Sequence, residues 1–267
     1  MKAFCIDLDG TLLRSDKTVS DVNKESIRKA INKGNKVFIV TGRPYCFSKY
    51  LAKEIHKYVE VISFNGACYD KGKDIMINYI SNKALIEAID ILKSSNCKSF
   101  FKGKNLFYTT EAYDERFLYD SINDKVSDEL KVKSYTNLSW DEISHNAKDI
   151  IKILAYSYDI KEVDKLSIKL QKIKGLTISS YMDISIDITG ENTHKGRAVN
   201  DVMSYYGINR SEIVAIGDSE NDIPMLEEAG YSVAMGNAKE EIKEICDMVT
   251  FSNDDDGVSY AIESIIK

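Results

Sequence analysis

No uninterrupted apolar run in this chain reaches the roughly 20 residues a helix needs to cross a bilayer, so no membrane partner is expected. The amino terminus enters a strand-like run at once, with no space for a charged region, an apolar stretch and a cleavage site. A basic tract is also missing. With a net charge of −6, that argues against nucleic acid as the main partner. The five cysteines, Cys5, Cys46, Cys68, Cys97 and Cys246, are odd in number and show no CxxC pairing. That pattern disfavours a disulfide framework or a zinc site, and points to free thiols in a reducing cytoplasm. Internal repeats and low-complexity segments are absent too. What remains is 43% hydrophobic and 29% charged over 267 residues, a globular composition with length for more than one domain.

One stretch near the start stands out. Phe4-Cys5-Ile6 leads straight into Asp7-Leu8-Asp9-Gly10-Thr11. Alternate residues of a strand point the same way, so Asp7 and Asp9 can share a side where the chain leaves a sheet. Two carboxylates held close repel, and a fold tolerates that with a cation or a raised pKa. A solvated strand end is the plain alternative. A calcium loop fits poorly, because the further acidic positions and the closing glutamate of an EF-hand are missing.

The rest of the chain alternates. Ser20 can cap a helix that ends near Gly34, residues 36–40 make a β-branched strand, 45–55 a helix, and 59–64 another strand. This rhythm predicts an α/β fold with a doubly wound, Rossmann-like parallel sheet. A hairpin over 67–80 then breaks it. A helix at 82–93, strands at 98–102 and 106–110, a polar stretch at 111–146 read as helical, a strand at 150–156, a helix at 160–174 and strands at 176–180 and 184–188 follow. They predict an inserted α+β domain over 82–187, with the core formed by 1–81 and 188–267. The core rhythm resumes with a helix at 195–206, a strand at 213–216 leading to Gly217-Asp218, a helix at 222–229, and shorter elements to the end. Asp254-Asp255-Asp256 reads as a solvated loop.

Chemistry-bearing residues recur where open α/β sheets bind ligands, at carboxyl ends of strands and starts of helices. They are Asp7 with Asp9, Thr41 with Gly42, Lys195, and Asp218 with Asn221 and Asp222. Singly, each has a structural explanation as a turn, a solvated helix start or a helix cap. Together and in this order they are a specific pattern. Asp7-Leu8-Asp9-Gly10-Thr11, Val40-Thr41-Gly42-Arg43, Lys195-Gly196 and Gly217-Asp218-Ser219-Glu220-Asn221-Asp222 resemble the haloacid dehalogenase superfamily of phosphatases. Phe64-Asn65-Gly66-Ala67, Ala234-Met235-Gly236-Asn237-Ala238 and Asp256-Gly257-Val258 narrow the resemblance to its Cof-type branch.

The resemblance implies a magnesium-dependent phosphatase acting on a small phosphate monoester, a sugar phosphate or phosphorylated cofactor, through an aspartyl-phosphate. Asp7 would be the nucleophile and Asp9 the acid and base. Asp7, the Asp9 carbonyl and Asp218 would hold magnesium, with Asp222 in support. Thr41, Gly42, Lys195 and Asn221 would hold the phosphoryl group, Lys195 being the one cation expected beside the acids. The insert would be a cap that selects the leaving group, with Arg43, Asn65 and Tyr181 as candidates to meet it. His194 is read as a neutral spectator. Ser219-Glu220 departs from the smaller or uncharged pair of many members, which leaves the metal preference open. A phosphomutase, or a phosphorylation-dependent signalling module, are the rival functions. The second explains neither Asp9 nor the insert.

Overall fold

The structure, a computed structural model, describes residues 1–112, 116–182 and 184–266. It divides into two compact units: residues 1–43, 48–76 and 194–267, and residues 44–47 with 77–193.

In chain order, β1 (Ala3–Ile6) is wholly buried, and Ser20 caps α1 (Asp21–Asn32), its side chain accepting from the Asn23 N–H. Then come β2 (Lys36–Val40), α2 (Tyr45–Ile55), β3 (Val59–Ser63), β4 (Cys68–Lys71) and β5 (Asp74–Ile77). The second unit continues with α3 (Asn82–Lys93), β6 (Lys98–Lys102), β7 (Leu106–Thr109), α4 (Arg116–Asn123), β8 (Lys133–Tyr135) and α5 (Trp140–Asn146). It ends with β9 (Lys152–Tyr156), α6 (Ile160–Leu170), β10 (Leu176–Met182) and β11 (Ser185–Gly190). The first unit resumes with α7 (Lys195–Tyr206), β12 (Ile213–Gly217), α8 (Ile223–Glu228), β13 (Tyr231–Ala234), α9 (Glu240–Glu244), β14 (Met248–Val249) and α10 (Gly257–Ile265).

The sheet of the first unit runs β14-β13-β12-β1-β2-β3-β4-β5, parallel from β14 to β3 and antiparallel between β3 and β4. Its apolar strands are buried on both faces, as a doubly wound sheet requires. Ala3, Cys5, Phe38 and Ala215 pack with Val199, Val202 and Met203 of α7 and Met225 of α8. The alternate residues Phe4, Ile6, Ile39, Val61, Val214 and Ile216 are buried as well. The parallel core and mixed α/β class are those the alternation predicts.

The second unit carries its own sheet, β10-β11-β9-β6-β7-β8, antiparallel except between β7 and β8. Leu85, Ala88, Ile89 and Leu92 of α3 and Val163 and Leu166 of α6 cluster with Ile153 and Ile188. The stretch 111–146, read as helical, also contains strand β8. Among the described residues that strand has one neighbour, β7, and Lys133 and Tyr135 are exposed, so no apolar alternation marked it in the sequence. Helix α6 stops at Leu170, short of the expected 174, and the turns that follow place Ile173 against the unit's core.

Candidate active site

Strands β1 and β12 lie side by side in parallel, Ile6 opposite Ile216, while β2 and β13 extend the sheet in opposite directions. This is the topological switch point, where a crevice opens beyond the carboxyl ends of the strands. Asp7 follows β1 and Asp218 follows β12. The Asp7 N–H donates to the Ile216 carbonyl at 3.0 Å. Gly10, at φ +79°, turns the chain so closely past Asp218 that a Cβ would overlap its carboxylate. Thr11 Oγ1 donates to Asp218 Oδ1 at 2.9 Å, and Asn237 Nδ2 to the Gly10 carbonyl at 2.8 Å.

Lys195 is the first residue of α7 and is buried. Its Nζ donates to Asp7 Oδ1 at 2.7 Å and to Asp222 Oδ1 at 2.6 Å. The other Asp222 oxygen accepts from the backbone N–H groups of Asp218 and Ser219, both at 3.1 Å, and lies 3.2 Å from Ser219 Oγ. Its carboxylate thus braces the 218–222 loop. Oxygen atoms of Asp7, Asp218 and Asp222 lie within 4.8 Å of one another, a grouping that could hold a metal ion. Burial and the Asp222 charge raise the Asp7 pKa, with Lys195 acting against them. Burial and Asp222 likewise push Asp218 up to about 6. For Lys195 burial opposes the charge, but Asp222 and Asp7 outweigh it and hold its pKa above the ordinary value. Three acids and one lysine leave excess negative charge in a dry place, and hard carboxylate oxygens are the donors a small divalent cation prefers.

Asp9 is held elsewhere. The Arg43 guanidinium grips it with two bonds of 2.7 Å, Nε to Oδ2 and a terminal nitrogen to Oδ1, and Lys17 Nζ stands 3.5 Å away. Burial raises the Asp9 pKa, but Arg43, then Lys17, outweigh it and hold the carboxyl below its usual range. Lys195 is therefore not the one cation beside the acids. The expectation failed because Arg43 was read only as a candidate to meet the leaving group. Its place in the loop after β2 brings it to Asp9 because β2 pairs with β1, an order that residue spacing does not encode.

Thr41 is buried after β2, its N–H bonded to the Ile62 carbonyl at 2.8 Å and its hydroxyl accepting from the Arg43 N–H at 3.2 Å. Gly42 packs under the Asn65 amide, and Asn221 Nδ2 donates to Asn65 Oδ1 at 3.3 Å. His194, read as a spectator, caps α7: its Nδ1 accepts from the Arg197 N–H at 3.2 Å. Glu220 pairs with Lys239 at 2.9 Å. Tyr181 belongs to β10 of the second unit, and its side chain lies outside the described residues.

A family model described as haloacid dehalogenase-like hydrolase matches residues 4–262. The chain belongs to that family. This phosphatase is 31% identical to the 5-amino-6-(5-phospho-D-ribitylamino)uracil phosphatase YwtE of Bacillus subtilis, over all of this chain and 98% of the relative. It is 29% identical to a second B. subtilis protein of the same printed activity, YcsE, over 98% of this chain and 94% of the relative. A solved haloacid dehalogenase-like hydrolase from B. subtilis superposes over the full length of both chains with a TM-score of 0.85 and 28% identity. The chain is thus a phosphoric monoester hydrolase of the Cof-type branch. Among the described residues of this phosphatase, no helix is long and apolar enough to cross a membrane.

Proposed function

We propose that the protein is a magnesium-dependent phosphatase that hydrolyses a small phosphate monoester through a phosphorylated Asp7. The observation that carries the reading is the buried Asp7 carboxylate at the switch point, held by Lys195 and crowded by Asp218 and Asp222. Asp7 attacks phosphorus in line, forming an acyl phosphate as the bond from phosphorus to the leaving oxygen breaks. Asp9, once released from the Arg43 fork and protonated, gives that oxygen its proton, then accepts one from the water that attacks phosphorus; the bond from phosphorus to Asp7 breaks and inorganic phosphate leaves. Thr41, Gly42, Lys195 and Asn221 hold the phosphoryl oxygens as charge redistributes. Asp7, the Asp9 carbonyl and Asp218 would hold magnesium, with Asp222 fixing their loop. When bound, the ion offsets negative charge on the carboxylates and phosphoryl group.

The substrate class is a sugar phosphate or a phosphorylated cofactor, handled in the cytoplasm, where thiols such as those of this chain stay reduced. The names of the B. subtilis relatives make 5-amino-6-(5-phospho-D-ribitylamino)uracil the first ester to try. Phosphate release over a panel of esters, with magnesium or with chelator, tests the reading. Asp7→Asn, nearly isosteric but a poor nucleophile, is expected to fold normally and lose activity by about three orders of magnitude or more. A folded Asp7→Asn protein with near wild-type turnover would refute it.

A further inference from the structure

Three consecutive residues, Phe64, Asn65 and Gly66, have left-handed backbone, with φ of +52°, +55° and +97°. Asparagine and glycine tolerate this region, whereas a bulky aromatic there is an outlier that its surroundings must hold. They do. The Phe64 N–H donates to the Arg43 carbonyl at 3.1 Å, the Asn65 N–H donates to the Thr41 carbonyl at 3.0 Å, and the Phe64 ring is fully buried. A Cβ on Gly66 would stand 2.6 Å from the His194 carbonyl oxygen, just before Lys195, and one on Gly42 would stand 2.9 Å from Asn65 Oδ1. The turn therefore touches the Thr41-Gly42 loop, the start of α7 and, through its side chain, Asn221. The Asn221 amide is fixed at both ends: its nitrogen donates to Asn65 Oδ1 at 3.3 Å, and its oxygen accepts from Ser219 Oγ at 2.7 Å.

We propose that Asn65 is a positioning residue of the phosphate clamp: its side-chain oxygen sets the orientation of the Asn221 amide, and the left-handed turn presents that oxygen beside Thr41-Gly42. The inference rests on the reading of Thr41, Lys195 and Asn221 as phosphoryl-binding groups. It moves Asn65 from the leaving group, where the sequence put it, to the phosphoryl end of the substrate. An amide turned the wrong way offers an oxygen, not N–H donors, to an anion. The strain in the turn is what such a fixed orientation requires.

Asn65→Gly removes the side chain while keeping a residue suited to positive φ, and Asn65→Ala removes it while adding backbone strain. Inorganic phosphate, used as an inhibitor of p-nitrophenyl phosphate hydrolysis with magnesium present, is the probe. Both variants should weaken phosphate inhibition by about tenfold, roughly the loss of one hydrogen bond to a charged group. Only Asn65→Ala should melt several degrees below wild type. Asn65→Gly/Asn221→Ala should bind phosphate no more weakly than Asn221→Ala alone, because the two residues act in series. Unchanged phosphate inhibition in Asn65→Gly, a loss that tracks the melting temperature, or additive losses in the double variant would each overturn the proposal. If Asn221→Ala leaves phosphate inhibition intact, the clamp reading falls with it. If Asn221→Ala weakens inhibition and Asn65→Gly does not, only the role of Asn65 falls.

Discussion

At the scale of single residues the site is a problem in charge. Asp218 shows it most plainly, since burial and the Asp222 charge push its pKa from an ordinary 3.8 up to about 6. Between those values the folded chain keeps a proton that the unfolded chain has released, so stability falls as pH rises through the window. The contribution is fully present below a pH of about 4 and lost above about 6. One pKa unit corresponds to about 1.4 kcal/mol. In chelator near neutral pH, Asp218→Asn should therefore be more stable than wild type by about 1 kcal/mol or more, and the two should converge as pH falls toward about 4. Millimolar magnesium should raise the wild-type melting temperature by binding the folded state, and raise that of Asp218→Asn much less. Were Asp218 chiefly a cap for the loop and helix after it, losing its charge would destabilise the protein with or without the ion. Thermal melts of both proteins across pH, in chelator and in magnesium, decide the matter. An equal magnesium-induced rise in both removes Asp218 from the ligand set.

At the scale of elements, function depends on how closely helices approach. Gly196, beside Lys195 in α7, packs on α8 so tightly that a Cβ would stand 2.7 Å from the Pro224 carbonyl carbon. The backbone of α8 cannot give way as a flexible side chain would, so Gly196→Ala must shift the start of α7, and Lys195 moves with it. A cost of about 1–3 kcal/mol is expected for the overpacking, together with a fall in turnover larger than the stability loss alone produces. A variant that melts and turns over as wild type would place the helix start under no such constraint. Helix α7 was legible in the sequence because Lys195 opens an amphipathic stretch closed by Gly207, and β1, β2 and β12 because short apolar, strand-forming runs end at polar residues. Strand β8 was not legible, because a polar edge strand with one neighbour carries little pattern. The Arg43–Asp9 fork and the 64–66 turn were hidden for another reason. Each depends on chain segments brought together by the sheet order, and residue spacing does not encode that order.

At the scale of the whole molecule, each unit has an apolar cluster of its own among the described residues: one lies within residues 3–246 and takes none from 70–197, and the other lies within residues 80–188. The groups given reactive or phosphate-binding roles all belong to the first unit, which would leave the choice of ester to the second. The long segment of the second unit, residues 77–193, begins and ends at neighbouring points, since Asn78 Nδ2 donates to Thr193 Oγ1 at 2.8 Å and to the Glu191 carbonyl at 3.1 Å. A short flexible linker in place of residues 77–193 would then close the first unit at little entropic cost, because closure entropy grows slowly with loop length. Such a shortened protein should fold cooperatively and gain thermal stability from magnesium, since it keeps Asp7, Asp9 and Asp218. It should also lose discrimination: the spread of kcat/KM across phosphate esters should narrow toward their intrinsic reactivity, because contacts that distinguish leaving groups are gone. A folded, magnesium-stabilised first unit that kept the wild-type ranking and spread would move ester selection out of residues 77–193 and into the loops that carry Arg43 and Asp9.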